Sequence, residues 1–425
     1  MLDIKSIRKN PELVKENMKR KFQDPSPVDK LLKLDAKRLE LMKETQSLRR
    51  DRNDISKRIS EARKRNDEEE AKKLMQDAKD IPEKISSVEE KLKKLDEDVN
   101  RILLTIPNIM HESVPQGKDD TENVEIKRWG EPRRFDFGVR NHVEILESLG
   151  LADFDMSGKT TGNGFYFLKG DMALLNQAMI QFAIDFMRKK GYVYIEPPLM
   201  LRKKVLDAAM DTESFKDTIY SIDGEDLHLI GTSEYSLLGM HSDQVLQEKD
   251  LPKKYFSYSM CFRKEIGSHG INEKGLWRTH QFNKVEQFIF CKPEESYRFY
   301  DELLNNSEEI FQQLGLPYRV IECCSGDLAT WKAKSCDIEV WRPTTQSYGE
   351  VTSLTNCTDF QARGLGIRVD RNDGTREVLH TLNNTALATS RAMVALIENY
   401  QEEDGSITIP EILRPFMGKD KIVRQ

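Results

Sequence analysis

The chain has 425 residues, of which 66 are Lys or Arg and 72 are Asp or Glu, giving a formal net charge of -6. That length supports two or three domains around a large core. The acidic balance excludes a globally basic binder of polyanions, so any such surface has to be local.

The N-terminal stretch MLDIKSIRKNPELV is charged and lacks the apolar segment of a secretory leader, and no run of the chain is long and apolar enough to span a membrane. The six cysteines (positions 261, 291, 323, 324, 336 and 357) show no CxxC pair and no zinc-like spacing. We therefore expect buried, reduced thiols in a soluble cytoplasmic protein with no membrane partner.

From Val28 to Ile102 the sequence is charge-rich, with apolar residues at regular steps and no glycine. Leu34, Leu41, Leu48, Ile55 and Ala62 recur every seven residues. Ala71, Leu74, Ala78, Ile81, Ile85, Val88, Leu92, Leu95, Val99 and Ile102 then alternate steps of three and four. This is the seam of a coiled coil. The break at Arg65-Asn66-Asp67 predicts that the limbs fold back as an antiparallel hairpin, each roughly 50–55 Å long at 1.5 Å per residue. Pro82 interrupts the seam and is expected to kink the second limb.

The limbs differ in charge. Val28–Asn66 carries 13 basic and 7 acidic residues, and Asp67–Ile102 carries 8 and 12. Arg49, Arg50, Arg52, Lys57, Arg58, Arg63, Lys64 and Arg65 concentrate positive charge on the first limb and its tip, the footprint of backbone-phosphate contact.

Beyond residue 107 four segments carry the chemistry. Gly191–Met200, GYVYIEPPLM, reads as a strand stopped by Pro197-Pro198. Thr232-Ser233-Glu234 follows in LIGTSEYSLL. Cys261–Phe290 reads as two antiparallel strands joined by a long connection with glycines at 267, 270 and 275. Such a hairpin can offer cations to phosphate, an aromatic face to a base and carboxylates to an amine. His380–Gln401 begins polar and continues as an apolar helical pattern containing Arg391.

In order and spacing, Gly191–Met200, Cys261–Phe290 and His380–Gln401 resemble the signature motifs of class II aminoacyl-tRNA synthetases, and Thr232-Ser233-Glu234 narrows the match further. HQFNKVEQF and Gly349–Leu365, GEVTSLTNCTDFQARGL, together with the helical arm, narrow the resemblance to seryl-tRNA synthetases over essentially the whole chain. The resemblance implies an α+β fold: an N-terminal helical arm domain over 1–107, with its hairpin at about 28–102, and a catalytic domain over 108–425. The catalytic domain is expected to be an antiparallel sheet flanked by helices. It implies activation of L-serine by ATP to seryl-adenylate and transfer to tRNA(Ser), with tRNA(Sec) left open as a second substrate. It also implies Mg²⁺ and a homodimer formed through the Gly191–Pro198 region. The arm would grip the long variable arm of the tRNA. Only 34 residues follow Arg391, too few for the appended anticodon-reading domain of several class II relatives.

The same resemblance assigns roles. Arg263, Glu286 and Arg391 are the catalytic residues, with Arg263 bridging the α-phosphate and the serine carboxylate and Arg391 on the γ-phosphate. Phe282 stacks on adenine, Glu265 and the backbone around Thr279 read its edge, and Lys264 and Arg278 lie near the nucleotide or acceptor end. Glu350 and Ser353 hold Mg²⁺, with Val351 and Thr352 beside the nucleotide. Thr232, Glu234 and Glu286 receive the α-ammonium, with Glu286 also near the side-chain hydroxyl and Ser233 among the serine-binding residues, and Thr385, supported by Asn383, completes the hydroxyl pocket. Asn384 and Ser390 stand where the family commonly has glycine, and both are expected to add atoms beside the pocket. Two rival readings are a ligase that loads a carrier protein, which would not need the basic arm, and an interaction protein with a vestigial core, which would have lost Arg263, Glu286, Glu350 or Arg391.

Overall fold

The computed structural model describes residues 1–265 and 274–424; Gly267 and Gly270 lie outside them. The chain divides into two compact units. One comprises Leu2–Lys19 and Gln23–Ile106, the other Met1, Arg20–Phe22 and Pro107–Gln425.

In the first unit, α1 (Ser26–Lys64) packs against α2 (Glu68–Ala78) and α3 (Ile81–Thr105). Ala62, Ala71, Leu74, Ile81, Ile85, Val88 and Val99 of the seven-residue pattern are buried, which is where the apolar periodicity places them. The fold-back occurs at Asn66, whose φ of 54° is the left-handed conformation that Asn tolerates. Asp67 then caps α2 by accepting from the Glu70 amide at 3.0 Å. The kink expected at Pro82 is instead a break: α2 ends at Ala78, and Pro82 sits in the first turn of α3, where its missing N–H leaves no intrahelical bond unmade. All eight arginines and lysines of the basic cluster are exposed. Arg49 and Arg65 are engaged with Glu89 at 2.7 Å and Glu70 at 3.1 Å.

The second unit is built on an eight-stranded sheet among the described residues. Its strands are β1 (Val124–Trp129), β2 (Val193–Tyr194), β3 (Lys253–Phe262), β4 (Gln281–Cys291), β5 (Tyr318–Glu322), β6 (Lys334–Arg342), β7 (Ser347–Thr358) and β8 (His380–Ala388), in the spatial order β1-β5-β6-β7-β8-β4-β3-β2. Every pairing is antiparallel except β2 with β3, where Val193 pairs Tyr255 in parallel at the sheet edge. β3 and β4 are the two strands expected around the long connection.

Side-chain alternation along β4 decides what faces what. Val285, Ile289 and Cys291 enter the apolar core. Gln287, on the same side, donates to the Leu303 carbonyl and Ser307 Oγ of α4 (Ser296–Gln313) at 3.1 and 3.0 Å. Phe282, Lys284 and Glu286 therefore share the opposite face. Six free cysteines are buried in this unit, as the spacing suggested.

Candidate active site

A cavity of about 280 Å³ opens on the face of the sheet that carries Phe282, Lys284 and Glu286. Thr232, Glu234, Arg263, Glu265, Arg278, Thr279, Phe282, Glu286, Glu350, Val351, Thr352, Ser353, Asn383, Thr385 and Arg391 all line it. Ser233 and Lys264 do not. Ser233 is buried, with no hydrogen-bond partner for its Oγ among the described residues. Lys264 Nζ lies 5.6 Å from the centre of the Tyr220 ring.

One end of the cavity is rich in buried oxygen. β8 and β4 pair so that Thr385 faces Glu286 directly, and Thr385 Oγ1 donates to Glu286 Oε2 at 3.5 Å. Lys284 Nζ is 2.5 Å from the same carboxylate. Glu234 accepts from Gln361 Nε2 at 2.7 Å. Burial, and after it the charge of Glu286, push the Glu234 carboxyl up to about 7. An arriving ammonium would relieve both effects. Asn384 was expected to add atoms beside the pocket, but it does not face this end. It occupies the opposite side of β8 and donates to the Leu303 carbonyl and Ser307 Oγ at 2.8 and 2.9 Å, so its side chain ties the sheet to α4. Ser390 does line the cavity.

The other end is cationic. Arg263 Nε donates to the Gly231 carbonyl at 3.3 Å, and its guanidinium lies 5.3 Å from the centre of Phe282. Arg391 Nη1 donates to the Glu350 carbonyl and carboxylate at 2.9 and 3.1 Å, and Nε donates to the Trp277 carbonyl at 3.3 Å. The guanidinium groups of Arg342 and Arg391 lie 4.2 and 5.4 Å from the centre of the Trp277 ring. Gly349 is needed beside it: a Cβ there would stand 2.5 Å from the indole.

The turn that carries Trp277 is pinned from below. The Leu276 amide donates to His142 Nε2 at 3.1 Å, while His142 Nδ1 faces Glu398 at 3.2 Å. The proton of the neutral ring therefore sits on Nδ1. Gly275 has φ of 143°, and a Cβ there would meet His142 Nε2 at 2.4 Å.

Glu350 and Ser353 are three apart, so in a regular strand they would point to opposite faces. A bulge brings them together. Ser353 pairs Asp337 and Thr352 pairs Ile338, but Glu339 pairs Glu350, leaving Val351 as the extra residue. Both side chains then share the cavity face. Asp337 lies on that face too, and burial together with Glu350 pushes its carboxyl up to about 7.

Tyr235, Trp277, Lys284, Trp331 and Lys332 also line the cavity and were not singled out from the sequence. Lys284 could have been, because it alternates with Phe282 and Glu286. Trp331 and Lys332 come from an irregular segment with no such periodicity.

Comparison with known proteins decides the family. Residues 1–110 match the seryl-tRNA synthetase N-terminal domain, and residues 216–400 match the tRNA synthetase class II core domain of the G, H, P, S and T group. A serine–tRNA ligase of Methanoregula boonei is 46% identical over 421 residues, covering 98% of this chain and 99% of the relative. The chain belongs to the seryl-tRNA synthetases. A second relative, from Pyrococcus abyssi, is 43% identical, covering 100% of this chain and 98% of its own length. The crystal structure of the seryl-tRNA synthetase from Pyrococcus horikoshii complexed with ATP superposes with a TM-score of 0.92 at 41% identity, each chain fully covered. Neither rival reading of the sequence is favoured by these likenesses to seryl-tRNA synthetases.

Proposed function

We propose that this chain activates L-serine with ATP and transfers the seryl group to tRNA(Ser). The observation that carries the reading is the polarity of the cavity. Two buried carboxylates and a threonine hydroxyl gather at one end, Arg391 stands with Glu350 at the other and Arg263 lines the wall as well, within a chain whose relatives are serine–tRNA ligases.

Serine enters with its ammonium toward Glu234, Glu286 and Thr232 and its hydroxyl toward Thr385 and Asn383. Arg263 draws the serine carboxylate and the α-phosphate of ATP together, since a guanidinium fork suits two anions at once. The carboxylate oxygen attacks the α-phosphorus, and pyrophosphate leaves with Arg391 on its charge. Phe282 supplies a stacking face for adenine, edged by Glu265 and Thr279, and Arg278 lies at the nucleotide side. A terminal tRNA hydroxyl then attacks the seryl carbonyl and releases AMP. Positioning and charge neutralisation supply most of the rate in such chemistry.

Glu350 and Ser353 would hold Mg²⁺. The bulge that puts a carboxylate and a hydroxyl on one face offers few, hard oxygen donors, the set that suits this ion when phosphates provide the rest. The ion supplies neutralisation of phosphate charge.

In this reading, residues 108–425 hold the catalytic domain and 1–107 the tRNA-binding one. The exposed basic limb of α1 follows the tRNA backbone, and tRNA(Sec) is a second candidate substrate. The sheet edge at β2 exposes Val193 and Tyr194, with Met200 and Met260 also exposed, which supports a symmetric homodimer through this region. Among the described residues no helix is long and apolar enough to cross a membrane, in keeping with a cytoplasmic enzyme. The test is charging of bulk tRNA with each amino acid. Seryl-tRNA as the principal product supports the reading, and charging by another amino acid overturns it.

A further inference from the structure

Beside Glu350 the cavity holds an ammonium that serine activation leaves without a task. Lys332 lines the cavity, and its Nζ donates to Ser335 Oγ at 3.1 Å and to Ser353 Oγ at 3.3 Å. Both partners are neutral hydroxyls. The carboxylates acting most on it are Asp337 and Glu350, and its charge also reaches Glu234. Ser353 pairs directly with Asp337 across the strands. Asp337 Oδ1 is buried without a hydrogen-bond partner among the described residues. Glu350 reaches the same face through the bulge and is tied to Arg391 at 3.1 Å. An ammonium thus shares a hydroxyl and two carboxylates with the place proposed for the divalent cation.

A lysine that merely filled space would be a poor choice here, because sequestering an ammonium is costly unless acids compensate it. The compensation works in both directions. With Lys332 present, the two carboxylates are partly neutralised before any metal arrives. Without it, two carboxylates and a hydroxyl would converge with no neighbouring ammonium, a far better cation site.

We propose that Lys332 is a positioning residue that sets the metal demand of the active site: its fixed charge, anchored on Ser353, lowers the affinity of the Glu350–Ser353 set for a divalent cation until nucleotide phosphates join it. The proposal rests on the assignment of Glu350 and Ser353 as metal ligands. Coulomb repulsion between an ammonium and a divalent ion a few ångströms away is large enough to change affinity by an order of magnitude or more.

The test is titration of the full-length protein with Mn²⁺ at pH 8, read by the loss of the free-ion electron paramagnetic resonance signal, with and without a non-hydrolysable ATP analogue. Lys332→Met is expected to bind Mn²⁺ at least ~10-fold more tightly than the parent without nucleotide. Lys332→Arg, which keeps the charge, should stay near the parent. Asp337→Asn should move affinity the other way, and the double variant with Lys332→Met should return toward the parent. Glu350→Gln should lose the nucleotide-dependent Mn²⁺ site in every background.

Unchanged Mn²⁺ affinity in Lys332→Met, with Glu350→Gln still sensitive, overturns the role of Lys332 alone. An insensitive Glu350→Gln overturns the ligand assignment and the inference with it. If Lys332→Met does not fold, Asp337→Asn carries the test, and parental Mn²⁺ affinity in that folded variant overturns the proposal.

Discussion

At the Thr385 end of the cavity the carboxylates of Glu234 and Glu286 are buried, whereas at the Arg391 end Glu350 keeps 46% of its side-chain surface exposed. The buried pair is held by Thr385, Gln361 and Lys284, whose ammonium comes from the same strand as Glu286 and stands 2.5 Å from it. Glu350 and Arg391 are instead bonded to each other while both are proposed to hold nucleotide and metal. Selection of the amino acid is thus read by a preformed polar cage, and phosphate binding by exchange of an existing ion pair. A preformed cage discriminates through the cost of unpaired buried groups. An exchangeable pair supplies charge without fixing shape.

The largest effect should come from the residue that serves both ends. Arg263→Ala is expected to reduce ATP–pyrophosphate exchange at least ~10²-fold in a folded protein, the scale seen when one charge-stabilising donor is removed. Exchange within a few-fold of the parent would separate Arg263 from the chemistry.

A smaller change should be confined to the cage. Thr385→Val should cut the preference for serine over alanine by about tenfold, the worth of one hydrogen bond to a buried partner, while leaving the KM for ATP in place. A parental serine-to-alanine ratio would remove Thr385 from the hydroxyl pocket.

The cage should also titrate. The Glu234 carboxyl, raised to about 7 by burial and by Glu286 and opposed by Gln361, Lys284 and Lys332, binds an ammonium only when ionised. Below that pH its ionised fraction falls by up to about tenfold per unit, so kcat/KM for serine should rise with pH toward 7 and then level off. Glu234→Gln should lose this inflection. A flat profile in the parent enzyme would contradict the assignment.

The mildest effects belong to α1. Neutralising Arg50, Arg52 or Lys57 singly should raise the KM for tRNA and reduce the salt slope of binding by up to about one unit each, with no change in serine activation. A parental salt slope would argue that these charges solvate the helix and nothing more.

Part of this arrangement was legible in the sequence, where site residues fall on regular, alternating stretches of strand such as Phe282–Glu286 of β4 and Asn383–Thr385 of β8. Phe282, Lys284 and Glu286 share a face for that reason. The same rule separates Asn384 from Asn383 and Thr385, and applying it would have turned Asn384 away from the pocket in advance. The bulge at Val351 was not legible, since nothing in GEVTSL marks an extra residue, yet it alone aligns Glu350 with Ser353. Pro82 was legible as a disturbance, and its preference for a helix's first turn explains why the outcome is a break. Trp331 and Lys332 reach the cavity from an irregular segment, where no periodicity tells which side chain points inward.

The separation of the two ends is tested most directly by calorimetric titration of serine and of ATP, each alone, into Arg391→Ala. The account predicts a Kd for ATP weakened by about tenfold or more, as expected when a charged hydrogen-bonding partner is lost, with the Kd for serine unchanged. Equal weakening of both ligands would contradict it.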